Sequence, residues 1–309
     1  MIFDTHAHYD DEAFADDRDE LLAGLFSHGI DRVANIGVDI PSCVNTLELA
    51  QKYDFIYAVI GFHPSDILKM KGDELDWLRN TLGLNDVSDN NDRPEAIKQK
   101  KIVAVGEIGL DYHWSETDDE HEKQKEWFRA QIGIAGDAGL PIVIHSRDAA
   151  ADTMDIVKET TGELLRGIRR RRHGMGASAT EDGKIPAKVG SDNPASRVFG
   201  QSPGIVHCYS YSAEQALEYV KMGYCIGVGG VITFKNSRRL KETVDAVSME
   251  SIVLETDCPY LAPEGSRGKR NDSTKLHSVV REIAKIKGIT EHEVIDITTE
   301  NALRVYEVI

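Results

Sequence analysis

Six residues of metal-binding type stand where short apolar runs end: His6 and His8 in DTHAHYD, Glu107 in VAVGEIGLDY, His145 in IVIHSRD, His207 in GIVHCYS and Asp257 in IVLETDCPY. Imidazole nitrogens and carboxylate oxygens are ordinary donors to first-row divalent cations. His6 and His8 are two residues apart, so extended backbone points both rings to one side. Glu107 shares its phase with Val103 and Val105, His145 with Val143, and Asp257 with Val253 and Glu255. Each pattern reads as apolar filling below and a polar group at the rim. A lone histidine at a strand end is usually structural, and HxH alone is a weak motif. Six such groups on five strand ends are a different matter, because each one buried without a partner would cost about 1–3 kcal/mol. A metal centre satisfies them together, and the spacing predicts one.

The elements that must carry these residues repeat along the chain. Apolar runs at 2–5, 32–37, 55–60, 102–107, 142–145, 204–207, 224–228 and 252–255 are rich in Val and Ile without polar alternation, as in a parallel sheet covered on both faces. Helical patterns fall between them, for example at 18–28, 41–53, 120–138 and 213–222. The tail from 273 to 308 reads as two helices, the second with Thr290 as a plausible N-cap. Eight strands each followed by a helix favour an α/β fold of the (β/α)8 TIM-barrel type with C-terminal helices, built as one domain over 1–309, over a doubly wound open sheet, which would give the same alternation. Two stretches break the rhythm. Residues 83–99 contain DVSDNNDRP and read as a polar surface loop. Residues 162–203 are rich in Gly and Arg and read as an insertion after the fifth βα unit, with Arg169–Arg172 as a phosphate-binding candidate.

The chain has 309 residues, 41% hydrophobic and 28% charged, which excludes collagen-like, disordered and disulfide-scaffold classes. No apolar run reaches the ~18–20 residues of a membrane span. The formal net charge of −16 repels phosphates over most of the surface, so a protein that coats a duplex is not expected. An enzyme holding one phosphodiester in a cation-neutralised cleft is compatible with it. Four cysteines without CxxC spacing and an N-terminus without a signal-peptide pattern predict a cytoplasmic protein with reduced thiols.

In order along the chain, DTHAHYD, GFHPSD, GEIGLDY, IHSRDA, HCYS and ETDCPYLAP, followed by RGKRN, resemble the TatD-related deoxyribonucleases of the amidohydrolase superfamily. The resemblance covers nearly the whole chain outside 83–99 and 162–200. It implies a distorted barrel, two divalent ions (Zn, Mn, Mg, Ni or Co) and hydrolysis of DNA ends in the manner of a 3′–5′ exonuclease. The alternatives on the same centre are a D-aminoacyl-tRNA deacylase and an amide hydrolase. A non-catalytic metal-binding protein would be expected to lack a ligand, and none is missing. Carried onto this chain, the resemblance gives His6, His8 and Asp257 to one ion, His145 and His207 to the other, and Glu107 to both. Asp257 would also be general base to a metal-activated water. His63, Arg267, Lys269 and Arg270 would meet substrate phosphate. No obligate protein partner and no membrane is implied.

Less central residues carry expectations too. Asp4 and Glu255 share the inward phase and are expected to hydrogen-bond the imidazoles. Arg147 is expected to pair with a carboxylate. Cys208 and Cys258 read as small packed residues, and Tyr112 and Trp114 as packing more than as base-stacking platforms.

Overall fold

Short Val/Ile runs satisfy their backbone by pairing edge to edge, and pair in parallel when a helix returns the chain between them. The computed structural model describes residues 1–84, 97–99, 101–174 and 201–308. Its strands are β1 (Ile2–Ala7), β2 (Ile30–Gly37), β3 (Ile56–Ile60), β4 (Ile102–Asp111), β5 (Ile142–Arg147), β6 (Gly204–Val206), β7 (Cys225–Val228) and β8 (Ile252–Leu254). They form one sheet in chain order, every neighbouring pair parallel. Just beyond β8 the sheet meets its own first strand. Asp257 N–H donates to His6 O at 2.9 Å and His8 N–H to Cys258 O at 2.8 Å. The result is a nearly closed (β/α)8 barrel, as the strand count predicts.

The helices are α1 (Arg18–Gly24), α2 (Ile40–Lys52), α3 (Asp73–Thr81), α4 (Asp118–Ala138), α5 (Ala150–Gly174), α6 (Ala213–Lys221), α7 (Arg238–Ala246), α8 (Leu276–Lys287) and α9 (Glu291–Tyr306). Their starts follow from local chemistry: Thr117 and Thr290 each form a capping box, with Glu120 and Glu293. No helix among the described residues is long and apolar enough to cross a membrane.

The barrel interior is filled by Phe3, Ala34, Ile36, Val59, Val103, Val143, Ile205 and Val253. Ala302, Val305 and Tyr306 of α9 join this cluster, and Tyr306 O–H donates to Thr5 O at 2.8 Å. The C-terminal helix thus seals the N-terminal end of the barrel and leaves the opposite end for chemistry.

Two sequence expectations are corrected here. The segment read as an insertion from residue 162 begins as helix. Residues 162–174 complete α5, with Leu164 and Ile168 buried and Arg171 donating to Gly139 O at 3.2 Å. Because a barrel helix runs back from the strand's C-terminal end, Arg169–Arg171 sit toward the sealed end, away from the histidines. The 83–99 stretch is not uniformly loop either: 97–99 is helical and Ile97 is buried in the core. The remainders of both segments, 85–96 and 175–200, lie outside the described residues.

Candidate metal centre

The six residues come from five separate strand ends, and the barrel gathers all of them. His6 lies near the end of β1 with His8 two residues on; Glu107 lies within β4 and His145 within β5. His207 and Asp257 follow β6 and β8 by one and three residues. Irregularities in strand pairing bracket two of these positions, between Asp4 and Ala7 on β1 and between Val105 and Ile108 on β4. Such a break re-aims side chains. It explains how Phe3 fills the interior while His6, three residues later, also reaches the centre. At the end of β8 the backbone of Asp257 takes φ +55, a region Asp tolerates better than most residues, and turns the chain out of the sheet.

Glu107 is the hub. Its Oε1 lies 2.7 Å from His145 Nδ1 and 2.7 Å from His207 Nε2. Its Oε2 lies 3.3 Å from His6 Nε2 and 4.0 Å from His8 Nε2. Asp257 Oδ1 stands 3.7 Å from His6 Nε2 and 3.4 Å from His8 Nε2. The two facing nitrogens of His6 and His8 are 3.2 Å apart.

Hydrogen bonds behind the rings decide which nitrogen faces inward. His8 Nδ1 sits 3.0 Å from the Ile36 carbonyl, which can only accept, so Nε2 is left for the centre. His145 Nε2 sits 3.2 Å from Asp111 Oδ2, leaving Nδ1 toward Glu107. Four nitrogens and two carboxylates therefore converge, and groups of acceptor type cannot face one another at such distances without protons or cations between them. Electrostatics say the same. Burial resists charging His207, but the Glu107 carboxylate outweighs it and raises its pKa to about 10. Burial likewise opposes His8, yet the bond and charge of Asp257 lift it to about 9. Burial, then the charge of His207, lowers His6 to about 4. Burial alone would raise Glu107, but His207 and His6 hold it well below the usual carboxylate range. A cation bound here would take over the role that protons on His8 and His207 play in its absence. The donor set fits a divalent metal in softness, number and burial.

Residues 3–307 match the family model of the TatD related DNases. The chain belongs to that family. It is 36% identical over 308 residues to the uncharacterized metal-dependent hydrolase YabD of Bacillus subtilis, covering 100% of both chains. It is 28% identical to the uncharacterized metal-dependent hydrolase TatD of Mycobacterium tuberculosis, covering 99% of this chain and 97% of that one. Among solved structures it resembles YjjV, a TatD homologue from Escherichia coli, with a TM-score of 0.77, 24% identity and coverage of 100% and 98%. An organophosphorus hydrolase from Deinococcus radiodurans shares the fold at a TM-score of 0.56 and 11% identity, covering 99% and 92%. This TatD-family chain is accordingly a metal-dependent hydrolase.

The expected substrate residues separate. His63 reaches the TatD-type centre: its Nε2 is 3.8 Å from Glu107 Oε1 and its ring lies 4.3 Å from that of His145. Burial, reinforced by His145, lowers its pKa to about 3, so it stays neutral. Arg270 does not face the cavity over the centre. Its guanidinium grips Asp17 at 2.7 and 2.5 Å and donates to Ala13 O at 2.7 Å. Arg267 lies over the Phe234 ring at 4.5 Å. Neither these two nor Lys269 lines the cavity of about 720 Å³ above the centre.

Three further expectations are revised. Asp4 bonds no imidazole ring. It accepts from the His6 and Thr256 N–H groups and from the Thr256 and Ser273 hydroxyls, so it ties β1 to the segment after β8. Glu255 Oε1 accepts from Cys208 N–H at 2.6 Å and is 3.8 Å from His207 Nδ1, too far to bond it. Its carboxylate lies against Gly227, where a Cβ would come within 2.0 Å of Oε2, and burial raises its pKa to about 8. Arg147 pairs with no carboxylate among the described residues. Asp111 joins the site through His145, although the sequence analysis does not single it out. It shares the phase of Glu107 within β4, and that periodicity was the available signal.

Proposed function

We propose that this chain is a two-metal phosphodiesterase acting on DNA ends, a deoxyribonuclease of the 3′–5′ exonuclease type. The observation that carries the reading is the division of the Glu107 carboxylate. One oxygen faces the His145–His207 side and the other the His6–His8 side, an arrangement that would let one carboxylate serve two cations. His6, His8 and Asp257 would hold the first ion, and His145 and His207 the second. Zn, Mn, Ni and Co suit the nitrogen-rich ligands, and Mg is the hard-cation alternative.

Bound divalent ions acidify a water and offset the charge that builds on phosphoryl oxygens. The chain's own residues do the rest. Burial would raise the pKa of Asp257, but the bond from His8 and the charges of His207 and His6 hold it down. Its carboxylate is therefore ionised at neutral pH and takes the proton of the attacking water, then returns it to the leaving alcohol. Asp111 fixes the tautomer of His145, and the Ile36 carbonyl fixes that of His8. Neutral His63 donates a hydrogen bond to a phosphate oxygen. All four cysteines are free thiols, which supports a cytoplasmic setting.

Incubation with 5′-labelled single-stranded DNA and Mg²⁺ or Mn²⁺ tests the proposal. Stepwise shortening that disappears in Glu107→Ala and Asp257→Ala is the expected result. No shortening, or shortening that survives both substitutions, overturns it.

A further inference from the structure

The cavity above the centre has walls of opposite charge. Asp10, Asp11, Asp39 and Asp66 line it on the side of β1 to β3. Arg147 and Trp114 line it on the side of β4 and β5. An adjoining cavity of about 350 Å³ shares His145, Arg147, His207, Asp257 and Tyr260, so Arg147 stands where the two meet.

Arg147 is exposed at the end of β5, and among the described residues no carboxylate neutralises it. Its guanidinium lies 5.6 Å from the centre of the Trp114 ring. Nearby acids are engaged elsewhere: Asp148 with His113 at 3.1 Å, Asp111 with His145 at 3.2 Å, and Asp152 with Lys125 at 3.0 Å and Tyr112 at 2.7 Å. In a chain with 52 acidic and 36 basic residues, an arginine at the mouth without an acidic partner among the described residues departs from the prevailing charge. Trp114 is 68% exposed, so the ring braces the guanidinium and buries little itself. Tyr112, by contrast, is packed, with its ring 3.7 Å from that of His121. A guanidinium pre-oriented by a ring, its charge unspent and its donors in a planar fork, is suited to a phosphate. Two residues along β5 from His145 is about 6.6 Å at strand spacing, beyond the reacting group but beside it.

We propose that Arg147, braced on Trp114, is a subsite for a second phosphate of the substrate, the phosphodiester that flanks the bond being cut. The acidic wall opposite gives the mouth a polarity: a strand lies on the Arg147 side and does not continue across Asp10, Asp11, Asp39 and Asp66. This inference rests on the phosphodiesterase reading above. It assigns Arg147 to selection among phosphodiesters and not to the chemical step.

The test compares metal-loaded wild type with Arg147→Met, Arg147→Lys and Trp114→Ala on two substrates. One is a labelled single-stranded oligonucleotide. The other is thymidine 5′-(p-nitrophenyl) phosphate, which carries a single phosphodiester. For Arg147→Met the expected result is a KM on the oligonucleotide raised about 10- to 100-fold with kcat nearly unchanged, and kcat/KM on the small substrate within about twofold of wild type. The dependence of log KM on log salt should flatten by about one unit. Arg147→Lys should recover part of the loss, and Trp114→Ala should show a several-fold loss in the same sense. Equal effects on both substrates, or no effect on the oligonucleotide, overturn the subsite while leaving the phosphodiesterase reading intact. A wild type that cleaves the small substrate but not the oligonucleotide overturns it as well. A wild type inert on both contradicts the phosphodiesterase reading and the subsite with it.

Discussion

At the N-terminal end of the barrel Phe3 packs between Tyr57 and Tyr306, ring centroids 5.9 and 5.7 Å away. At the C-terminal end, a few residues further along the same strand, the rings of His6 and His207 stack at 3.9 Å over the Glu107 carboxylate. The same backbone carries both ends, yet one is closed by α9 with apolar surface and the other gathers six groups that burial alone would destabilise. The difference teaches where free energy is stored. The sealed end contributes stability through transfer and packing. The open end concentrates unfavourable burial that protons or cations must relieve. Substitutions at the two ends should therefore fail in different ways.

The largest effect should come from the open end. Glu107→Gln keeps the shape of the hub but removes its charge, and is expected to lower hydrolysis by on the order of 10³-fold or more. Metal content measured by mass spectrometry should fall below that of wild type, with the fold retained by circular dichroism. At the sealed end, Tyr306→Ala removes a buried ring and the bond to Thr5 O, and should cost about 3–5 kcal/mol of stability. Its signature would be a lowered melting temperature at unchanged metal content. If Tyr306→Ala instead released metal, the two ends would be one coupled unit and the contrast would fail.

A third expectation concerns protons. In the metal-free protein burial opposes charge on His207 and His8, but Glu107 and Asp257 raise them to about 10 and about 9. Since both folded values lie above the ordinary 6.5, their stabilising contribution is complete below about pH 6.5. It is lost as the pH rises through about 9 to 10. A metal must displace these protons, so its affinity should increase with pH over the same range. Calorimetric titration in two buffers of different ionisation enthalpy should show net proton release at pH 7; zero release would mean the histidines are already neutral. The smallest effect is a null one. Gly174 ends α5 and Gln201 leads into β6, both at the sealed end. Deleting 175–200 should leave turnover of short and long oligonucleotides within about twofold.

Much of this was legible in the residues because period two along a strand fixes which side chains share a face. His145 and His207 follow the interior residues Val143 and Ile205 in the same phase, and the barrel brings both to the centre, whereas Glu107 reaches it across the pairing irregularity on β4 and Asp257 from beyond the end of β8. The reading failed where the phase breaks. The irregularity after Asp4 lets Phe3 and His6 both point inward, so Asp4 could not be placed by parity and turned out to bond Thr256 and Ser273. It failed again where charge alone was the guide. Arg270 in RGKRN resembled a phosphate contact, but Asp17, far away in sequence, claims it. Arg147 resembled half of an ion pair, but its neighbours were already engaged. Long-range pairing of surface charges leaves no periodic trace in a sequence, whereas burial on a strand does.

Glu107 is proposed to divide two cations. A crystal of the metal-loaded protein, measured on both sides of the Mn or Zn absorption edge, tests that directly. The expected map has two anomalous peaks about 3.5–4 Å apart, one against His6, His8 and Asp257, the other against His145 and His207, with Glu107 between them. A single peak remote from Glu107, or two peaks that Glu107 does not join, would contradict it.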